Sequence, residues 1–389
     1  MKVSDIIDKA RAATGLSDLG DPAVLEGLQV LVKASIDEAH LSAAGAPRWE
    51  ASLVGFLSNR LLIVDYLKRH PELLERPIDR PMFVFGLQRT GTTLTINLLS
   101  ADPARRCLLR WESIKSVPPA AAGALHSDPR CIAEQERLAM MIKQAPQVAA
   151  AHYEDADSPS ECQFAMAPSF CAQLFDSNIH VPSYHAWFLY ETSYLPAFKF
   201  HKQLLQLLQA ENGGRWTLKN PWHPLFLDDL TTVYPDAQLV MTHRDPAEVV
   251  GSACSLIRLV RPMFSDVVNL SQIADQMIET FDLMIKRQNA YRDKHGEKSI
   301  YDIQYVEQLR DPVGQIRKLY AHFEEPFTPE AEAAMLKLVA ENPQGKHGKH
   351  IYSLEEFGLT AAGVRRHFRD YCERFDILSC EAAANRHSH

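Results

Sequence analysis

Two glycines, three hydroxyls and one guanidinium stand together in Gly86-Leu87-Gln88-Arg89-Thr90-Gly91-Thr92-Thr93. Gly86 and Gly91 let the backbone turn sharply, so that several N–H groups can converge on one anion. The run Leu94-Thr95-Ile96-Asn97-Leu98-Leu99 that follows reads as a helix, and its N-terminal dipole falls on the same spot. Thr90, Thr92 and Thr93 add side-chain donors, and Arg89 adds a fixed positive fork. The chemistry is the binding of a phosphate. The spacing G-x4-G-x-T matches the nucleotide triphosphatase P-loop, except that Thr92 stands where that loop carries its Lys. Without the Lys the loop is poorly suited to the β- and γ-phosphates of ATP. No apolar run ending in Asp supplies a Walker-B partner.

Such a loop needs a strand before it and a helix after it. Met82-Phe83-Val84-Phe85, between Pro81 and Gly86, is short and wholly apolar, as expected of a buried parallel strand. Trp216 to Lys219, Gln238 to Thr242 and Ser299 to Ile303 read the same way. Helical stretches lie between them at Leu225 to Val233, Ala247 to Leu259 and Ile273 to Ala290. Strand alternating with helix predicts an α/β fold with a mainly parallel central sheet: a P-loop-like, three-layer arrangement. Residues 1–76 read as an N-terminal helical layer packed on that core, with Asp21-Pro22 as a helix start. Residues 77–389 form the α/β domain, with an acceptor-binding helical insertion at about 150–212.

The chain has 389 residues, with 46% hydrophobic and 23% charged side chains, which excludes disordered and fibrous classes. Lys plus Arg is 41 against Asp plus Glu 49, a formal charge of −8, so a basic nucleic-acid footprint is not expected. The seven cysteines are odd in number and form no C-x-x-C pair, which predicts reduced thiols rather than a zinc site or disulfides. No stretch approaches the roughly 18 apolar residues of a membrane span, and no signal-peptide pattern opens the sequence. A cytoplasmic location follows as an expectation. Whether the chain forms a homo-oligomer stays open.

The stretch from Pro81 to Leu94 resembles the 5′-phosphosulfate loop of the sulfotransferase family, a strand followed by P-[KR]-[ST]-G-T-T. Gln88 departs from the family's Pro, and Arg89 in place of Lys is similar to the bacterial and tyrosylprotein branches. A second stretch resembles the family's 3′-phosphate region: Trp216-Thr-Leu-Lys-Asn-Pro-Trp-His, followed by Tyr234 through Ser252 with its Arg244-Asp245-Pro246. Ser252 stands eight residues after Arg244, as in that family. Together the likeness spans roughly residues 80–360.

The resemblance implies 3′-phosphoadenosine 5′-phosphosulfate (PAPS) as sulfuryl donor, a small-molecule hydroxyl as acceptor, and no metal. It implies that Gly86, Arg89, Thr90, Gly91, Thr92 and Thr93 hold the 5′-phosphate, and that Arg244 and Ser252 hold the 3′-phosphate. Lys346, in the Gly/Lys-rich loop Gly345 to His350, would add to the latter. Arg89 and Lys219 become candidates for meeting charge on the leaving oxygen. For the general base the resemblance nominates Glu112, with Glu161 as first rival and His152 and His223 behind it. Aromatic residues crowd the segment from Tyr153 to Phe200 and point to a lipophilic alcohol or phenol if several line a pocket. Two alternatives stay open: a P-loop kinase or nucleotide triphosphatase, and a non-catalytic binding protein of the same fold.

Overall fold

The chain's structure is a computed structural model that describes residues 1–144, 155–342 and 352–377. At its centre lie five parallel strands in the order β2-β3-β1-β4-β5: β1 (Met82–Gly86), β2 (Arg105–Cys107), β3 (Arg215–Lys219), β4 (Gln238–His243) and β5 (Tyr301–Gln304). β1 is central because all five of its residues are buried, which only a strand covered on both faces can satisfy. Its side chains alternate between the faces. Met82 and Val84 join Leu98, Leu99, Val240, Ile303 and Ile316 in one apolar layer. Phe83 and Phe85 join Leu218, Leu239 and Met241 in the other. The register sets Phe83 beside Leu218 on one side and Leu239 on the other, and brings Gly86 level with Thr242.

Four of these strands and the helices between them follow the sequence expectation, and β2 does not. Arg105-Arg106-Cys107 is too short and too charged to read as a strand. It is one because its arginines are paired internally: Arg105 with Glu325, Thr217 and Tyr320, and Arg106 with Glu112.

Helices α1 (Val3–Thr14), α2 (Val24–Asp37) and α3 (Gly45–Arg69) carry Ile6, Leu28, Leu53 and Leu61, each fully buried. These side chains belong to the same apolar cluster as Phe83 and Phe85. Much of the aromatic segment also belongs there, as core rather than as pocket lining. Phe170, Phe175, Tyr184, Phe188, Tyr194 and Phe198 are buried and pack on one another, as in the Phe170–Phe175 stack at 5.9 Å. Their neighbours are α2 and α3, with Trp49 edge-on to Phe175 at 6.0 Å. Tyr190 is the exposed exception, and Tyr153 lies outside the described residues. Among the described residues, no helix is long and apolar enough to cross a membrane. The six described cysteines are all buried and free of disulfides.

Candidate active site

Because every strand is parallel, the carboxyl ends of β1, β3, β4 and β5 share one edge of the sheet, where α/β folds bind their ligands. The Gly86–Thr93 loop leaves β1 there and enters α4 (Thr92–Ser100). Gly86 and Gly91 have φ of 153° and 101°. A Cβ on Gly86 would lie 2.5 Å from the Thr242 carbonyl oxygen, and one on Gly91 would lie 2.7 Å from the Tyr305 ring. Arg89 itself has φ 71°, a left-handed conformation that costs a non-glycine residue roughly 1–2 kcal/mol. The N–H groups of Arg89, Thr90 and Gly91 donate to no described group, and the first N–H groups of α4 have no partner within the helix. The loop therefore presents a cluster of backbone donors, as an anion cradle must.

The end of β4 supplies the second half of the cationic site. Arg244 Nη1 donates to the Arg89 carbonyl oxygen at 3.1 Å, and its guanidinium lies over the Tyr305 ring at 4.5 Å. Ser252, on the helix Pro246–Val260, accepts from Arg89 Nε at 3.1 Å. No described carboxylate is within ion-pair distance of Arg89. Burial, and then the nearby Arg244 charge, hold the Arg89 guanidinium below the usual arginine pKa. Two guanidiniums so placed favour an anion between them. Glu248 pairs with Arg244 at 3.5 Å and accepts from the Tyr352 hydroxyl at 2.8 Å, closing the outer side.

The end of β3 supplies the reacting side. Lys219 is almost wholly buried, lies 3.4 Å from Thr93 Oγ1 and forms an ion pair with Glu161 at 3.2 Å. A parallel bridge between Glu161 and Lys219 fixes the two backbones side by side. Gln163 Nε2 donates to the other oxygen of Glu161. The structure thus brings together Arg89, Thr93, Lys219, Arg244 and Ser252, all proposed from sequence, with Glu161 rather than Glu112.

Glu112 is a correction. It is fully buried at the third position of the helix Arg110–Ile114, where its carboxylate receives Arg106 Nη2 at 2.6 Å and the Leu109 N–H at 3.3 Å. Among the described residues, no hydrogen bond or ion pair links it to the loop. It holds edge strand β2 to its own following turn. Thr90 differs from the expectation in its side chain alone. Its buried hydroxyl lies 2.6 Å from that of Thr242 and donates to the Leu87 carbonyl at 2.7 Å, so it braces the loop from behind. Thr92 is likewise buried, in the first turn of α4. His223 is wholly buried between Phe83 and Phe198, with neither ring nitrogen bonded and its pKa pushed far down by burial. His152 and Lys346 lie outside the described residues. Sequence reasoning missed Tyr305 and Gln163. Neither stands in a recognisable motif, and both are placed by the fold alone.

A parallel sheet with a glycine loop at its carboxyl edge defines the P-loop-like class of α/β proteins. A profile of the Sulfotransferase family matches residues 81–329. The sulfotransferase STF9 from Mycobacterium avium is 32% identical, with 97% of each chain covered and a TM-score of 0.90. For the sulfotransferase STF1 from Mycobacterium tuberculosis, identity is 32%, coverage is 95% of this chain and 98% of that one, and the TM-score is 0.85. This chain belongs to the sulfotransferase family. A curated relative, the omega-hydroxy-beta-dihydromenaquinone-9 sulfotransferase Stf3 of Mycobacterium tuberculosis, is 28% identical over 106 residues. That match spans 27% of either chain, about a quarter of the relative's length.

Proposed function

We propose that the protein transfers a sulfuryl group from PAPS to the hydroxyl of a small lipophilic molecule, with Glu161 as general base. The observation that carries this reading is the meeting of Arg89, Lys219 and Glu161 at one edge of the sheet, with Arg244 and Ser252 alongside. The donor, as co-substrate, brings a sulfur already bonded to a phosphate-stabilised leaving oxygen. Its 5′-phosphate fits the N–H groups of the Gly86–Thr93 loop and the Thr93 hydroxyl, and its 3′-phosphate fits Arg244 and Ser252. Lys219, beside Thr93, and Arg89 meet the negative charge that grows on the leaving oxygen.

Glu161 takes the proton of the acceptor hydroxyl as the new oxygen–sulfur bond forms and the bond to the donor breaks. In the structure described here Glu161 is paired with Lys219. Transfer of Lys219 to the donor leaves the carboxylate free to act. The Stf3 relative, a sulfotransferase of a hydroxylated menaquinone, supports a lipophilic alcohol as acceptor. Buried, unbridged thiols support a reducing compartment, which we take to be the cytoplasm. The helical layer at residues 1–76 serves as scaffold for the catalytic unit, since it shares its core.

A thermal-shift comparison tests donor recognition first. 3′,5′-Adenosine bisphosphate is expected to raise the melting temperature, because a ligand of the folded state alone must stabilise it. ATP with Mg²⁺ is expected to leave it unchanged; the reverse pattern would indicate a nucleotide triphosphatase. An acceptor screen against hydroxylated lipids and phenols, read by the mass gain of a sulfuryl group, then identifies the substrate.

A further inference from the structure

Beyond the base itself, the geometry points to Gln163 as the positioning residue that orients the Glu161 carboxylate; this rests on the reading of Glu161 as the base. Glu161 and Gln163 are both buried, at the start of the helix Cys162–Met166. The two carboxylate oxygens have separate partners: Lys219 Nζ on Oε1 at 3.2 Å, and Gln163 Nε2 on Oε2. Of these partners, one is a cation in direct line with the donor site, beside Thr93. When Lys219 turns to an incoming anion, the amide of Gln163 is the remaining described partner of that carboxylate.

The orientation of the amide is set by chemistry, since its own oxygen would be repelled by the carboxylate. Gln163 Oε1 is buried and has no partner among the described residues. Leaving a buried acceptor unpaired is costly. Gln163 engages only the end that faces Glu161. The backbone beneath it is rigid: the Glu161–Lys219 bridge ties it to the edge of the sheet, and the Phe164 N–H donates to the Glu161 carbonyl at 3.1 Å. A donor held on such a backbone fixes the plane of the carboxylate.

The test uses the full chain with glutamate labelled at the carboxyl carbon by ¹³C, and Glu161 assigned by the signal lost in Glu161→Gln. Gln163→Met keeps the volume and removes the donor. Gln163→Glu keeps the shape, and covers the case in which the methionine variant fails to fold. With the amide donor removed, the Glu161 carboxyl signal is expected to leave its wild-type position in Gln163→Met, because one of its oxygens loses a hydrogen bond. It is expected to move further in Gln163→Glu, where a second carboxylate shares the site. Affinity for 3′,5′-adenosine bisphosphate stays at the wild-type value in both. In turnover, kcat in Gln163→Met falls roughly tenfold while the acceptor KM stays near the wild-type value, the split expected when the base is present but misoriented. A Glu161 signal unmoved in both variants and wild-type kcat in Gln163→Met, with Glu161→Gln inactive, overturn the role of Gln163 and leave the base in place. Full turnover in Glu161→Gln removes the base, and with it the purpose of the contact.

Discussion

Glu112 and Glu161 are both buried glutamates with a cation at hydrogen-bonding distance, and their surroundings differ. Glu112 sits under β2, its carboxylate held by the guanidinium of Arg106 and the Leu109 amide. Glu161 sits at the carboxyl edge of the sheet, paired with a lysine that also touches the phosphate loop. Burial and pairing alone therefore do not mark a catalytic carboxylate. The partner's other commitments do. Arg106 is further engaged with the Leu208 and Asn212 carbonyls and stacks on Trp216, so it cannot leave Glu112. Among the described residues, the Lys219 ammonium has a 3.4 Å contact to Thr93 besides its ion pair, and is placed to exchange one anion for another.

The largest expected effect separates the two. Glu161→Gln is predicted to lower turnover by roughly 10²–10⁴-fold, the usual range for a general base, with donor affinity unchanged. Glu112→Ala is predicted to destabilise the fold by about 3–5 kcal/mol, because Arg106 is left buried without its counter-charge. Urea denaturation of the variant measures that loss. Loss of turnover in Glu112→Ala without loss of stability would reverse the two roles.

Next in size come the donor contacts. Arg89→Ala and Arg244→Ala are each expected to weaken binding of 3′,5′-adenosine bisphosphate by about 1.5–3 kcal/mol, read by calorimetry. Unchanged binding in both would dismantle the assignment of this edge as the donor site. Gly91→Ala brings a methyl group against the Tyr305 ring at a φ of 101°, so donor affinity and melting temperature are expected to fall together.

How far the site could be read beforehand follows from the same contrast. The loop, Lys219, Arg244 and Ser252 were legible because each lies in a short motif tied to one strand end, where local spacing determines position. Glu161 could be ranked only second, since its role depends on a backbone bridge to Lys219 across 58 residues of sequence. β2 was not legible at all. Its two arginines look like surface charges until the carboxylates of Glu325 and Glu112 are brought to them by the fold. The aromatic segment stayed open for a related reason: aromatic density signals burial, and only packing decides whether a ligand or the helices α2 and α3 provide it.

The smallest expected effect concerns a polar cluster away from the site. His185 is buried 2.6 Å from Asp176 and 3.7 Å from Glu279, with Arg261 and Gln276 completing the surroundings. Burial opposes its charge, but the two carboxylates prevail and raise its pKa above the usual histidine value. A raised folded-state pKa means that the stabilisation is full below about pH 6.5 and is lost as pH rises through the folded value. The stability gap between wild type and His185→Asn is therefore expected to narrow as pH rises, measured by urea midpoints at about pH 5.5 and about pH 8.5. A gap that widens would contradict the cluster's assignment.

The central claim is that Glu161, not Glu112, takes the acceptor's proton at a site that Arg89 and Arg244 prepare for the donor. A single-turnover sulfuryl-transfer assay on wild type, Glu161→Gln and Glu112→Gln, with affinity for 3′,5′-adenosine bisphosphate measured on the same preparations, tests it most directly. The account predicts full donor affinity with transfer abolished in Glu161→Gln, and transfer retained in the folded fraction of Glu112→Gln. Wild-type transfer in Glu161→Gln, with Glu112→Gln folded and inactive, would contradict it.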